Sequence, residues 1–178
     1  MKIYTRRGDE GKTDLRDMSR ISKASPRITA YGNVDELNSL VGLARPTGFD
    51  DVDEMLRSIQ NHLHIAQAEL ANPDPDEDDP VVTAEHTEQL EAWIDEANDE
   101  LEPLESFVLP GGGEAGSRLH HARSVCRRAE RRAVVFTAET DGANEEVRAY
   151  LNRLSDLLFT LARLANQRDG VAEENPEY

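Results

Sequence analysis

The densest chemistry in this sequence is a run of arginines. Arg123, Arg127, Arg128, Arg131 and Arg132 fall in one stretch, with Glu130 among them. On a helix turning about 100° per residue, His120, Arg123, Arg127 and Glu130 share a face. That face lies roughly a third of a turn from an apolar stripe of Leu119, Ala122, Cys126, Ala129, Ala133 and Phe136. Like charges four apart repel by a few tenths of a kcal/mol. Internal carboxylates or an anionic ligand must therefore compensate. Arginine forks suit carboxylate and phosphate geometry alike, so spacing alone leaves both open.

A second concentration lies near the N-terminus, where residues 5–13 read TRRGDEGKT. Gly11, Lys12 and Thr13 end like a phosphate-binding loop, but the preceding glycine, Gly8, stands three residues back where that loop needs five. That spacing argues against a nucleotide-hydrolase loop. The general physics survives: glycines let backbone N–H groups approach an anion, and Lys12, Lys23, Thr5 and Thr13 reach phosphate oxygens. A flexible turn is the plainer alternative.

A third polar line, Arg148, Asn152, Ser155, Asp156, Phe159 and Arg163, runs beside the last apolar stripe. Asn152 and Asp156 at i,i+4 either bridge helices or meet a ligand. Asp35 and Asn38 flank an earlier stripe in the same way, and Asp35 is placed to pair with an arginine of the run as a buried ion pair. His62, His64 and His86 lack partners at metal spacing, and adjacent His120 and His121 point to different sides of a helix. No Ser, Cys and His arrangement reads as a nucleophilic triad.

These groups need positioning elements, and helical periodicity supplies them. Patterns run over residues 33–44, 51–71, 83–101, 114–137 and 145–168. The link at 72–80, NPDPDEDDP, is a solvated acidic loop. Residues 1–25 form a loop or ordered arm, and the tail after Gly170 is polar and frayed. The best strand candidates, residues 2–5 and 107–109, are too short to build a sheet. The fold class expected is all-α: an antiparallel bundle of five helices, residues 26–169, in one domain spanning 1–178.

Composition narrows the rest. The chain has 178 residues and a formal charge of −16, with 17 arginines and three lysines, Lys2, Lys12 and Lys23. That acid excess argues against nucleic-acid partners and fits adaptation to high salt, a halophilic protein. One cysteine, Cys126, rules out an internal disulfide. No apolar run reaches the roughly 20 residues of a membrane span, and the N-terminus lacks a secretory signal. The expectation is a cytoplasmic protein with no membrane partner.

Together the blocks TRRGDEGKTDL (5–15), RITAYGNVDELNSLVGLA (27–44), FVLPGG (107–112), HHARSVCRRAERR (120–132) and YLNRLSDLLFTLAR (150–163) resemble the PduO-type ATP:cob(I)alamin adenosyltransferases, in that family's order and spacing. One departure is Arg6-Arg7, where the family commonly has Lys-Thr. The resemblance implies a five-helix bundle with an N-terminal nucleotide-binding arm, assembled as a homotrimer with active sites between subunits. It implies transfer of the 5′-deoxyadenosyl group of ATP to the cobalt of cob(I)alamin, releasing triphosphate. By position, Thr5, Arg6, Arg7, Gly8, Thr13, Asp14 and Lys23 would wrap ATP. Arg127 would meet the polyphosphate, helped by Arg128 and Arg131. Glu130 would orient those arginines or help hold Mg²⁺, and Asn152 would contact the nucleotide. Asp35 and Arg123 would form a salt bridge near the corrinoid and the subunit interface, and Phe107 would cover the lower face of the corrin. A Co(II) reductase and an adenosylcobalamin-dependent enzyme are the implied protein partners. The rivals are an adenosylcobalamin carrier or sensor of the same fold, a non-catalytic helical interaction protein, and an ATP-dependent kinase, the last disfavoured by the broken loop spacing.

Overall fold

Ser25 and Pro26 set where the first helix begins. In the computed structural model, which describes residues 3–178, the Ser25 side chain accepts from the Ile28 N–H at 3.3 Å, and proline opens α1, Pro26–Ala44. Proline is suited to the first helical position, where its missing N–H is not needed. The helix thus starts well before residue 33, where apolar periodicity alone places it. Ala30, Val34, Leu37, Val41 and Ala44 form its buried stripe.

The other helices follow the expected stripes closely: α2, Asp50–Leu70; α3, Ala84–Glu100; α4, Glu114–Ala138; and α5, Glu146–Arg168. Asp50, Asp51 and Asp53 occupy the first turn of α2, where negative charge opposes the helix dipole. His86 closes the start of α3, its Nδ1 accepting from the Thr83 N–H at 3.1 Å. On α3 only Leu90 and Ala97 are fully buried, while Trp93, Ile94 and Leu101 pack at the margin of the core.

The helices pack in the order α2, α1, α4, α5, α3. α4 is therefore sandwiched between α1 and α5. Small residues on α4, including Ala115, Gly116, Ala122, Ala129 and Ala133, allow that close approach. The core is completed by Tyr150, Leu151, Leu154, Leu158 and Leu161 of α5.

The arm corrects the all-helical expectation in one respect. β1, Lys12–Asp14, and β2, Arg20–Ser22, pair antiparallel, with Thr13 opposite Ile21. Asp17 makes the turn by accepting from the Ser19 N–H at 2.9 Å, and Met18 takes φ 68°. Of the two strand candidates, residues 107–109 carry none; residue 2 lies outside the described residues, and 3–5 are not strand.

The tail is also not free. The Leu109 N–H donates to the Glu174 carbonyl at 2.8 Å, and buried Arg163 bonds Glu173 at 2.6 Å. A segment without periodicity is thereby strapped across the loop that precedes α4.

Candidate active site

The arginine face of α4 is only partly neutralised. Arg128 is committed to α1, donating to Asn33 Oδ1 at 2.9 Å and bridging Glu36. Arg118 pairs with Glu114 within α4. Arg127, Arg131 and Arg132 are exposed, Arg123 is half-buried, and among the described residues none of the four makes an ion pair. Arg123 instead lies over the Phe159 ring, 5.4 Å from its centroid, a cation–π placement. A chain with sixteen surplus negative charges therefore leaves four cations of one helix without internal carboxylates. Of the two compensations open on spacing, the internal one is absent along this stripe.

Glu130 makes no ion pair with those arginines among the described residues. Its carboxylate accepts from Asn152 Nδ2 at 3.0 Å, tying α4 to α5. Asp156 accepts from Arg153 at 2.7 Å, and Arg153 also bonds Glu91 of α3. Asn152 and Asp156 thus belong to separate helix bridges. Ser155 and Arg163 of the same expected polar line are buried. The buried Asp35–Arg pair does not form within the chain: Asp35 is exposed and has no ion-pair partner among the described residues. The reason is rotational, because Asn33 and Glu36 face Arg128 while Asp35 turns to solvent.

Arg123 opens onto a pocket of about 310 Å³ between the loop before α4 and the middle of α5. Phe107, Leu104, Val108 and Phe159 supply apolar walls; His120, Arg123 and Asp156 supply polar ones. Phe107 is 78% exposed on its rim. A large aromatic held in water beside an apolar pocket is poised for a partner rather than for the core. Burial, then the charge of Arg123, lowers the pKa of His120, with Glu173 acting the other way. The imidazole is thus held towards its neutral form.

The loop carrying Phe107 is clamped by Asn166, which sequence reasoning missed. Asn166 Oδ1 accepts from the Gly113 N–H at 2.9 Å, and Nδ2 donates to the Gly111 carbonyl at 2.9 Å. Gly112 sits at φ 112°, and a Cβ there or at Gly116 would strike the Asn166 amide. These four glycines form a seat for one buried asparagine. Nothing in the local pattern LARLANQR marks Asn166, because its partners lie more than fifty residues away.

The arm builds a second pocket, about 270 Å³, lined by Thr13, Asp14, Lys23, Ile28 and Tyr31 among others. Asp14 is bridged by Arg7 at 2.9 Å, and Arg20 donates to the Arg7 carbonyl at 2.6 Å. Lys23 approaches Gly8 so closely that a Cβ there would lie 3.0 Å from Nζ. Thr5 Oγ1 accepts from the Arg7 N–H at 3.4 Å, and Arg6 takes φ 63°. Thr5, Arg6, Arg7, Gly8, Thr13, Asp14 and Lys23 therefore belong to one folded unit.

The Phe107 pocket adjoins the first half of α4, and the segment next to the arm packs against its last turns. Arg27, just after the arm, sits over the Phe136 ring at 4.7 Å and donates to the Leu70 carbonyl at 2.8 Å. Arg123 is thirteen residues from Phe136, roughly 20 Å at 1.5 Å per residue. Arg127 and Arg131 occupy the interval.

The histidines at 62 and 86 do find partners. Their rings meet edge-on at 4.7 Å, His62 stacks on Trp93 at 6.4 Å, and Tyr150 Oη lies 3.3 Å from His62 Nδ1. No group of three or more His, Cys, Asp or Glu residues forms a metal site among the described residues. Cys126 is buried with its Sγ 3.2 Å from the Leu151 carbonyl, and burial raises its pKa well above the ordinary thiol range. No helix among the described residues is long and apolar enough to cross a membrane.

A family model described as cobalamin adenosyltransferase matches residues 3–165. A corrinoid adenosyltransferase of Mycobacterium tuberculosis is 44% identical over 171 residues, covering 93% of this chain and 89% of the relative. The corrinoid adenosyltransferase PduO of Salmonella typhimurium is 42% identical over 186 residues, covering 100% of this chain and 55% of that protein. A phenylalanine-to-alanine variant of a PduO-type ATP:corrinoid adenosyltransferase from Lactobacillus reuteri, complexed with cobalamin and ATP, matches with a TM-score of 0.92 and 35% identity, covering 99% of this chain and all of that one.

Proposed function

With the chain belonging to the cobalamin adenosyltransferase family, we propose that its active site forms where the Phe107 pocket of one copy meets the N-terminal arm of a neighbour. The enzyme is a PduO-type corrinoid adenosyltransferase: it moves the 5′-deoxyadenosyl group of ATP to the cobalt of a cob(I)alamin substrate. The roles of individual residues, the assembly and the metal are our reading. The observation that carries it is the arginine stripe. Arg123, Arg127 and Arg131 make no ion pair among the described residues and run between a pocket for an apolar plate and an arm for an anion.

ATP and the corrinoid must meet, yet Arg27, next to the arm, packs on Phe136 of α4, while the Phe107 pocket adjoins Arg123, roughly 20 Å of helix away. A neighbouring copy closes that gap, and a closed homotrimer does so with three equivalent interfaces. In this assembly the arm residues Thr5, Arg6, Arg7, Gly8, Thr13, Asp14 and Lys23 wrap ATP, and Asn152 contacts the nucleotide. Asp35, exposed and without an ion pair among the described residues, pairs with Arg123 across the interface.

Cobalt(I) is the nucleophile. The Co–C5′ bond forms as the C5′–O bond breaks, and triphosphate leaves with the electron pair. The protein supplies no nucleophile, which agrees with a buried, protonated Cys126. Arg127, with Arg131, holds the triphosphate and stabilises its growing charge. Arg128 contributes by fixing α4 against α1 rather than by direct contact, because its fork is already occupied. Phe107 covers the lower face of the corrin and excludes an axial ligand, which makes Co(II) easier to reduce.

The donors present suit Mg²⁺ carried on ATP rather than a resident ion. Mg²⁺ is commonly bound by one or two carboxylates plus substrate phosphates. Glu130 offers such a carboxylate, with one oxygen bonded to Asn152. Bound there, the ion would neutralise phosphate charge. A Co(II) reductase and an adenosylcobalamin-dependent enzyme are the protein partners this reaction calls for.

Incubation with ATP, Mg²⁺ and chemically reduced cob(I)alamin under anaerobic conditions tests the reading. The expected result is loss of the cob(I)alamin absorbance band over multiple turnovers, with stoichiometric triphosphate. Sedimentation gives the assembly, and full activity from a monomer would overturn the shared site.

A further inference from the structure

Deep in the Phe107 pocket is an imidazole that no group among the described residues answers. His120 is 3% exposed, and neither Nδ1 nor Nε2 has a hydrogen-bond partner. Its ring faces Phe159 at 5.9 Å and lines the pocket. A neutral imidazole carries one N–H donor and one lone-pair acceptor. Leaving both buried and unmade is destabilising, so a persistent orphan points to a ligand that makes those bonds.

The pocket says what kind of group that is. Its walls are largely apolar, and its charged lining is one Arg123 from α4 against one Asp156 from α5. Asp156 is already bonded to Arg153. In the proposed assembly Arg123 is taken by a neighbour's Asp35 and Asp156 by Arg153, so an added carboxylate would find no free cation there, and it offers no donor to the imidazole lone pair. A primary carboxamide is neutral and carries donor and acceptor in one plane. The rim of a corrin is set with such groups.

We propose that His120 hydrogen-bonds a peripheral carboxamide of the corrinoid, making the site selective for amidated corrins over corrins bearing free carboxylates. This rests on the reading of the Phe107 pocket as the corrinoid site.

The test is absorbance titration of wild type, His120→Leu and His120→Gln with two probes, cob(II)inamide and the polycarboxylate cob(II)yrinic acid. ATP binding by equilibrium dialysis serves as control. The chain's overall negative charge disfavours the polycarboxylate in every variant, so the decisive quantity is the change in the affinity ratio. His120→Leu is expected to weaken cob(II)inamide about threefold to tenfold, narrow the ratio, raise Tm by removing the orphan, and leave ATP binding unchanged. His120→Gln, which keeps a donor and an acceptor, is expected to retain the ratio more closely, and it keeps the test open should the leucine variant misfold. Unchanged affinities and ratio in folded variants overturn the inference alone. Failure of wild type to bind either corrinoid overturns the pocket assignment and this inference with it.

Discussion

Arg127→Ala and Arg128→Ala make a matched pair, adjacent on α4 and alike in type but opposite in their surroundings. Arg127 is exposed and makes no ion pair among the described residues. Its neighbours at i−4 and i+4 are Arg123 and Arg131, so removing it relieves two repulsions of a few tenths of a kcal/mol each. Tm should hold or rise slightly. A charge-assisted hydrogen bond to phosphate is worth about 1.5–3 kcal/mol, so kcat/KM for ATP should fall roughly 10- to 150-fold. Arg128→Ala removes the bond to Asn33 and the bridge to Glu36. The exposed bridge is worth at most about 1 kcal/mol and the bond about as much again. Tm should drop by roughly 2–4 °C per kcal/mol for a chain of this size, with a smaller effect on kcat/KM. Steady-state rates at saturating cob(I)alamin, circular dichroism and thermal melts of both variants provide the assay. Wild-type kcat/KM in Arg127→Ala, or a loss of activity that merely follows a lowered Tm, would refute the assignment of the unpaired stripe to triphosphate.

Three further outcomes concern the asparagine clamp, the His62 cluster and the surface charge. Asn166→Ala should release the Phe107 loop, costing about 2 kcal/mol for two lost hydrogen bonds and raising KM for corrinoid more than for ATP; equal effects on both substrates would contradict the clamp. The pKa of His62 is lowered by burial and then by His86. The unfolded chain, with its imidazole near 6.5, therefore binds more protons as pH falls. Stability from this group is complete above about pH 6.5 and lost as pH drops through the lower folded value; melts of wild type and His62→Gln should diverge on acidification, and parallel curves would count against it. Raising KCl from about 0.1 to 1 M shortens the Debye length from roughly 10 to 3 Å, which should raise Tm in a chain of net charge −16 by screening self-repulsion; a Tm that falls with salt would remove the case for salt adaptation.

Much of the fold is legible residue by residue. The α2, α4 and α5 stripes recur every three or four positions, and burial follows them from Val52 to Leu70 and from Leu119 to Phe136. Such patterns are local, so they can be read before any packing is known. The start of α1 was readable too, in Ser25-Pro26, but as a capping signal rather than as periodicity. The hairpin escaped because each strand is three residues of mixed polarity, too short to alternate. The tail escaped because its order comes from Leu109 and Arg163, both far away in sequence.

The site divides along the same line. The arginine run, the glycine-rich arm and the FVLPGG loop are contiguous, and their chemistry is set by residue type and spacing. Which arginines remain free is not. Helical phase separates Arg127 from Arg128, but only the packing of α4 against α1 gives one of them Asn33 and Glu36 and the other solvent. The same packing buries His120 without a hydrogen-bond partner among the described residues, seats Asn166 among four glycines and separates the arm pocket from the Phe107 pocket. Sequence by itself determined the helices and the inventory of anion- and corrin-binding groups, because those depend on neighbours within a few residues. Tertiary structure decided which of those groups are spent on the fold and which are left for substrates, because that depends on faces brought together from distant parts of the chain.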